Sequence, residues 1–161
     1  IWRGPMLAKM VSQFLFSVEW GDLDILLLDL PPGTGDVQLT LTQMAPLTGA
    51  VIVTTSSTLA LEDVGRGVQM FRQTDVPILG LIENMSTFTC DSCGSESHPF
   101  GHGGGASAAS ALDIPFLGEI PLDPSLRSGA DDGTPAFISQ PQSPASQAMR
   151  GISRGLLERL A

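Results

Sequence analysis

Two groups of residues in this sequence carry chemistry by type and spacing. The first is Cys90-Asp-Ser-Cys93, followed at once by Gly94 and then by His98 and His102. A Cys-x-x-Cys pair on a loop offers two thiolates to one soft metal, and the glycine after it lets both sulfurs turn inward. Two sulfurs leave a tetrahedral site half filled. Either His98 and His102 complete it as a zinc site within one chain, or an identical pair arrives from a second copy across a twofold axis. Four thiolates of the latter kind suit an iron-sulfur cluster. A metal-free dithiol that simply oxidises is the remaining alternative.

The second group is Ile25-Leu-Leu-Leu-Asp29-Leu-Pro-Pro-Gly33-Thr-Gly35-Asp36. Four aliphatic residues in a row predict a strand over 25–29 buried on both faces. Asp29 then emerges where that strand stops, at the sheet edge that binds ligands in parallel α/β folds. A carboxylate there can hold the magnesium of a nucleotide. Pro31 and Pro32 stiffen the turn, and Gly33 and Gly35 allow bare backbone N–H groups to approach an anion such as a terminal phosphate.

The elements that must position these groups alternate. Met6, Met10, Phe14 and Val18, with Leu7, Val11 and Leu15 beside them, recur at helical spacing and predict a helix over 6–18. Strands are expected at 25–29, 50–55, 78–83 and 116–120. A helix over 59–73 should be capped by Thr58, turn Ala60, Val64, Val68 and Phe71 to the sheet, and pair Glu62 with Arg66. Beyond Pro121 the prolines and glycines read as loop. A last helix follows, with Met149, Ile152, Leu156 and Leu160 on one side. Strand and helix in alternation predict an α/β fold, a mostly parallel sheet with helices on both faces. The cysteines fall in a loop insertion over 86–105, a candidate metal-binding excursion between a strand and the next helix.

With 161 residues and 42% hydrophobic content, one soluble domain over 1–161 is expected. A formal charge of −9 argues against a nucleic-acid backbone or an anionic membrane as partner. No apolar stretch has the length of a membrane span, and no leader pattern opens the chain. Two cysteines three positions apart are too close to staple a fold, and read as an intracellular metal or redox pair. Lys9 is the only lysine, and neither Gly-Lys-Ser nor Gly-Lys-Thr occurs. A phosphate loop requires that lysine. The expectation is therefore a C-terminal part of a longer protein, its fold incomplete at the N-terminus.

Further stretches add to these groups. They are Trp2-Arg3-Gly4-Pro5-Met6, Asp29 to Asp36, Leu47 to Thr55, Glu83-Asn84-Met85-Ser86, Cys90-x-x-Cys93, Phe100 to Gly105 and Phe116 to Pro124. In this order they resemble the Mrp-like (ApbC-type) iron-sulfur carriers, a branch of the MinD-related deviant-Walker P-loop ATPases.

The resemblance implies roles for individual residues. Asp29 would be the Walker B carboxylate that holds Mg2+ through a water, and Gly33 and Gly35 the glycines that sense the terminal phosphate of ATP. Asn84 would read the adenine edge, with Pro121 and Asp123 in the loop that closes over the base. Cys90 and Cys93 would bridge a labile 4Fe-4S cluster between two subunits. His98 and His102 become loop residues, Gly103 to Gly105 a flexible lead-in to a helix, and Trp2 and Arg3 neighbours of the nucleotide or the subunit interface. The implied protein is a cytoplasmic homodimer and weak ATPase that hands its cluster to apo-proteins. A zinc-binding non-catalytic module and a MinD- or ParA-like positioning ATPase are the alternatives. The last helix, with Arg150, Arg154 and Arg159 but few bulky apolar residues, makes a poor membrane anchor. The family's phosphate loop and the switch I aspartate that positions attacking water have no counterpart in this sequence.

Overall fold

Aliphatic and β-branched runs become strands where they find partners, and three of the four expected runs do so. In a computed structural model, which describes residues 4–30 and 35–160, five strands form. They are β1 (Ala50–Thr54), β2 (Ile78–Asn84), β3 (Phe88–Thr89), β4 (Glu96–Ser97) and β5 (Phe116–Ile120). β1, β2 and β5 pair in parallel in the order β1-β2-β5, and β3 and β4 form a short antiparallel ladder. Thr54 pairs with Glu83 and Asn84 with Ile120, so the three parallel strands end level.

Seven helices accompany them among the described residues: α1 (Gly4–Phe16), α2 (Asp36–Met44), α3 (Thr58–Gln73), α4 (Gly104–Ala111), α5 (Pro124–Asp131), α6 (Ala136–Ser139) and α7 (Pro144–Leu160). Side chains alternate across a strand, so Leu81 and Ile82 face opposite sides of β2. Leu81 is buried with Val64 and Val68 of α3 and Ala109 of α4. On the other face Ile82 and Ile120 are buried with Ala145 and Ile152 of α7, and Met149 and Leu156 pack beside them. Both faces of the parallel sheet are thus covered by helices, as the alternation predicts.

The fourth run behaves differently. Ile25 to Leu28 form no strand, and Leu27 is 88% exposed. A strand buried on both faces needs a hydrogen-bonding neighbour and two covering layers. Among the described residues this segment has neither, and the outer edge of β1 is open too, with Val53 58% exposed. α1 forms near the expected span but turns differently. Val11 and Leu15 are half-buried, Met6, Met10 and Phe14 are exposed, and Val18 lies beyond the helix, because α1 packs on α2 rather than on the sheet.

Smaller expectations shift by one contact. Ser57, not Thr58, caps α3; its extended backbone lets Oγ accept the Ala60 N–H at 3.4 Å, and Thr58 is already helical. Arg66 pairs with Asp63 at 2.7 Å, both exposed, rather than with Glu62. The stretch after Pro121 is not all loop. Asp123 caps α5 with Pro124 in its first turn, where a missing N–H costs the helix nothing. No described helix is long and apolar enough to cross a membrane.

Candidate functional site

Every loop that leaves the C-terminal ends of β1, β2 and β5 runs into a helix. Residues 55–57 lead to α3, 85–103 to α4 and 121–123 to α5. This edge is where parallel α/β sheets bind ligands, since strand ends and helix N-termini converge on it.

Asn84 ends β2 at that edge. It is half-buried, and its Oδ1 accepts the N–H of Met85 at 3.0 Å. Met85 takes a φ of 56°, a left-handed turn that throws the chain out of the sheet. The departing strand end is pinned to β5: Ser86 donates both its N–H (3.1 Å) and its hydroxyl (3.3 Å) to the Ile120 carbonyl. The Leu122 N–H in turn donates to the Thr87 carbonyl at 2.8 Å. These bonds set Asn84 beside 121–123. Asp123 has local work, its Oδ1 accepting the Ser125 N–H at 2.8 Å at the start of α5. A groove of about 260 Å³ opens there, lined in part by Thr89, Asp91, Pro121, Leu122, Asp123 and Pro144.

The cysteines sit on the tip carried by the β3–β4 ladder. Cys90 N–H donates to the Ser95 carbonyl at 2.9 Å, and Gly94 N–H to the Cys90 carbonyl at 2.8 Å. Gly94 takes a φ of 71°, which closes the knuckle. Cys90 is half-buried and Cys93 exposed, both as free thiols. The Ser95 hydroxyl lies 3.1 Å from Cys93 Sγ. That contact, then the Ser95 backbone N–H, then the Cys90 thiol, pull the Cys93 thiol below its ordinary range, so it favours the thiolate a soft metal needs.

The histidines do not join them. His98 donates from Nδ1 to the Ser86 carbonyl at 3.0 Å, with Thr87 Oγ1 at 3.4 Å, and its ring packs on His102 with centroids 4.3 Å apart. Both rings thus belong to the root of the loop. No three His, Cys, Asp or Glu side chains among the described residues gather to hold a metal. The Cys90, Cys93, His98 and His102 set of a single-chain zinc site is therefore not assembled.

Asp29 lies on the exposed irregular segment. No strand pairing, hydrogen bond or ion pair among the described residues joins it to the edge that holds Asn84, Pro121 and Asp123. Gly35 precedes α2 in ordinary extended backbone. Gly33, with Pro31, Pro32 and Thr34, lies outside the described residues, as do Trp2 and Arg3. Lys9, the single lysine, is exposed on α1.

Two residues at the edge stand outside the expected site: Glu83, which lies within a matching stretch, and Ser56, one residue past another. Glu83 is fully buried, and Ser56 donates its hydroxyl to Glu83 Oε1. The signal for Glu83 was available: a carboxylate in the otherwise apolar run Ile78-Leu-Gly-Leu-Ile-Glu83 needs a partner. The glycines expected as a flexible lead-in are the partners. Gly104 N–H donates to Ser56 Oγ at 2.9 Å and Gly105 N–H to Glu83 Oε2 at 2.7 Å.

Known proteins resemble this chain in sequence and in fold. A ParA family model described as NUBPL iron-transfer P-loop NTPase matches residues 1–157. The iron-sulfur cluster transfer protein NUBPL of Dictyostelium discoideum is 47% identical over 160 residues, 99% of this chain and 50% of that protein. The iron-sulfur cluster carrier protein of Escherichia coli K12 is 47% identical over 161 residues, 100% of this chain and 42% of the relative. The chain spans about half the length of the curated relatives it matches. Among solved structures, a nucleotide-binding protein of Archaeoglobus fulgidus in complex with ADP superimposes with a TM-score of 0.73 at 40% identity, covering 86% of this chain and 56% of that one. The cell-division ATPase MinD of Pyrococcus furiosus superimposes with a TM-score of 0.67 at 22% identity, over 99% of this chain and 60% of that one, a likeness of fold. A family match over almost the whole length, with near-half identity to its named members, places the chain in the ParA-type family of NUBPL iron-transfer P-loop NTPases.

Proposed function

We propose that this chain is the C-terminal part of an ATP-dependent carrier that holds a labile 4Fe-4S cluster between two copies and hands it to apo-proteins. The observation that carries this reading is the Cys90/Cys93 knuckle at a loop tip, Cys93 exposed and Cys90 half-buried, with no third ligand gathered beside it among the described residues. A second knuckle across a twofold axis supplies the two thiolates that are missing. A depressed Cys93 thiol gives up its proton to iron more readily than an ordinary exposed thiol. Exposure at a loop tip suits a cargo that must leave again. The names of the relatives, iron-sulfur cluster carrier and transfer proteins, support the same reading.

The nucleotide side is half built here. Asn84, Pro121 and Asp123 stand at the ligand edge and would flank a base, as the ADP complex of the Archaeoglobus protein supports. The phosphate contacts fit this chain poorly: it has no Gly-Lys-Ser or Gly-Lys-Thr, and Lys9 is on α1. Asp29 would hold Mg2+ through a water, and Gly33 and Gly35 would meet the terminal phosphate, once a phosphate-loop strand pairs with 25–29. A bound Mg2+-nucleotide would supply the energy that biases two dimer arrangements, one retaining and one releasing the cluster. We place this homodimeric, weakly hydrolysing protein in the cytoplasm, with a metal-binding loop over 86–105 within one domain spanning 1–161.

The test is anaerobic reconstitution of the whole protein with iron and sulfide. Broad visible absorbance and a shift toward dimer on loading are expected. Cys90→Ser or Cys93→Ser should abolish both, because each bridged site loses two of its four thiolates at once. His98→Ala and His102→Ala should leave both intact. Colourless zinc at one per monomer, lost with the histidines, would overturn the carrier reading in favour of a zinc module.

A further inference from the structure

Between the cysteine knuckle and α4 the loop folds back on itself. The Gly101 N–H donates to the His98 carbonyl at 3.1 Å, closing a tight turn over 98–101. Gly101 takes a φ of 95° and Gly103 a φ of 70°, left-handed backbone open to glycine, so the chain turns sharply on either side of His102. Gly101 is also held by its surroundings, since a Cβ there would lie 3.3 Å from Ser56 Cβ. The turn sets His102 back over His98, and the two rings meet with centroids 4.3 Å apart and planes tilted by 40°.

The tautomer of His98 follows from its partner. A carbonyl oxygen only accepts, so the 3.0 Å contact between Nδ1 and the Ser86 carbonyl places a proton on Nδ1. In the neutral ring Nε2 then keeps its lone pair. Metal-ligating histidines have this arrangement, handing their other ring N–H to a carbonyl or carboxylate that fixes tautomer and orientation. No hydrogen bond among the described residues engages the His102 ring, which leaves a nitrogen there to ligate as well. Both residues are exposed, so an ion reaches them directly. With metal–nitrogen bonds of about 2.0–2.1 Å, two imidazoles on one ion have ring centres about 4.4 Å apart at a right angle and about 5.1 Å apart at the tetrahedral angle. The observed 4.3 Å matches the right angle, which square-planar and tetragonal ions prefer.

We propose that His98 and His102 form a second metal site at the root of the loop, taking one imidazole-seeking divalent ion of tetragonal preference, Cu2+ or Ni2+, with water in its remaining positions. The site shares no ligand with the Cys90/Cys93 knuckle and stands whether or not that knuckle carries a cluster. The whole protein bearing Cys90→Ser and Cys93→Ser, so that thiols do not compete, is titrated with Cu2+ and followed by electron paramagnetic resonance. A bound ion with hyperfine coupling to two imidazole nitrogens is expected. Adding His102→Ala, which breaks no hydrogen bond, should remove one of those couplings and weaken binding about tenfold or more, at least what losing a ligand's own hydrogen-bond partner costs. His98→Ala should do the same, and circular dichroism checks that each variant folds. Copper held with unchanged strength and an unchanged nitrogen pattern after both histidine changes would overturn the site. A spectrum that responds to one histidine and is indifferent to the other would also overturn it, in favour of a lone surface ligand.

Discussion

At the scale of single residues, the chemistry concentrates in one thiol and its nearest hydroxyl. Ser95 Oγ sits 3.1 Å from Cys93 Sγ and is the largest cause of the lowered thiol pKa. Alkylation follows the thiolate, so its rate rises as pH passes the pKa. A lowered pKa moves that rise to lower pH. Site-resolved alkylation by mass spectrometry should therefore place the Cys93 midpoint below that of an ordinary exposed thiol. Ser95→Ala should move it back up, since the donor that favours the charged form is gone. Cys93 is exposed, so this change alters reactivity and metal uptake and leaves folding stability alone. A Cys93 midpoint unmoved by Ser95→Ala would show that the hydroxyl contact has no part in its ionisation.

Elements divide sharply in how much change they tolerate. α4 begins against Glu83 with no room for a methyl group at Gly105. Gly105→Ala should destabilise the fold by about 1–3 kcal/mol through overpacking of a buried joint. Gly151 lies exposed inside α7, and a Cβ there meets nothing within 4 Å. Gly151→Ala should stabilise by about 0.8–1.0 kcal/mol, the ordinary helix preference for alanine. Chemical denaturation of the two variants side by side checks the pair of signs. At the centre of the sheet, Leu81 is fully buried against α3 and α4, and Leu81→Ala should cost about 2–5 kcal/mol in the same assay. The larger loss belongs to Leu81 because deleting a buried side chain leaves a cavity between three elements.

For the molecule as a whole, the decisive feature is an open side. β1 has no neighbour beyond it among the described residues, and Ile25 to Leu28 lie unpaired and exposed. An open edge with apolar residues nearby recruits other chains. The 161-residue chain alone should self-associate, and sedimentation over a concentration series should show its mean mass rising. A monomer with one cooperative thermal transition would count against this expectation. The same incompleteness governs nucleotide. A phosphate-loop lysine and backbone nest normally provide most contacts to the phosphates, so calorimetry on this chain should detect weak ATP binding or none. Tight Mg2+-dependent binding would show that the chain cradles phosphate by groups other than a glycine-rich lysine loop.

What the sequence by itself determined is local. The runs at 50–55, 78–83 and 116–120 declare strands to within a residue, the spacing of Val64, Val68 and Phe71 declares α3, and Cys90-x-x-Cys93-Gly94 declares its own knuckle. Each depends on neighbours within a few residues, which is the range over which periodicity and turn chemistry act. The order of the stretches also sufficed to identify the family. Tertiary structure alone decided whatever needs a partner far along the chain. Ile25 to Leu28 have the composition of a strand, yet strand is a property of a pair, and the pairing is absent among the described residues. His98 and His102 have the spacing of ligands, yet the Ser86 carbonyl and a tilted ring-on-ring contact hold them at the loop root. Ser56 meets Glu83 across 27 positions and Gly104 across 48, because parallel strands bring their C-terminal ends level regardless of the distance between them in sequence.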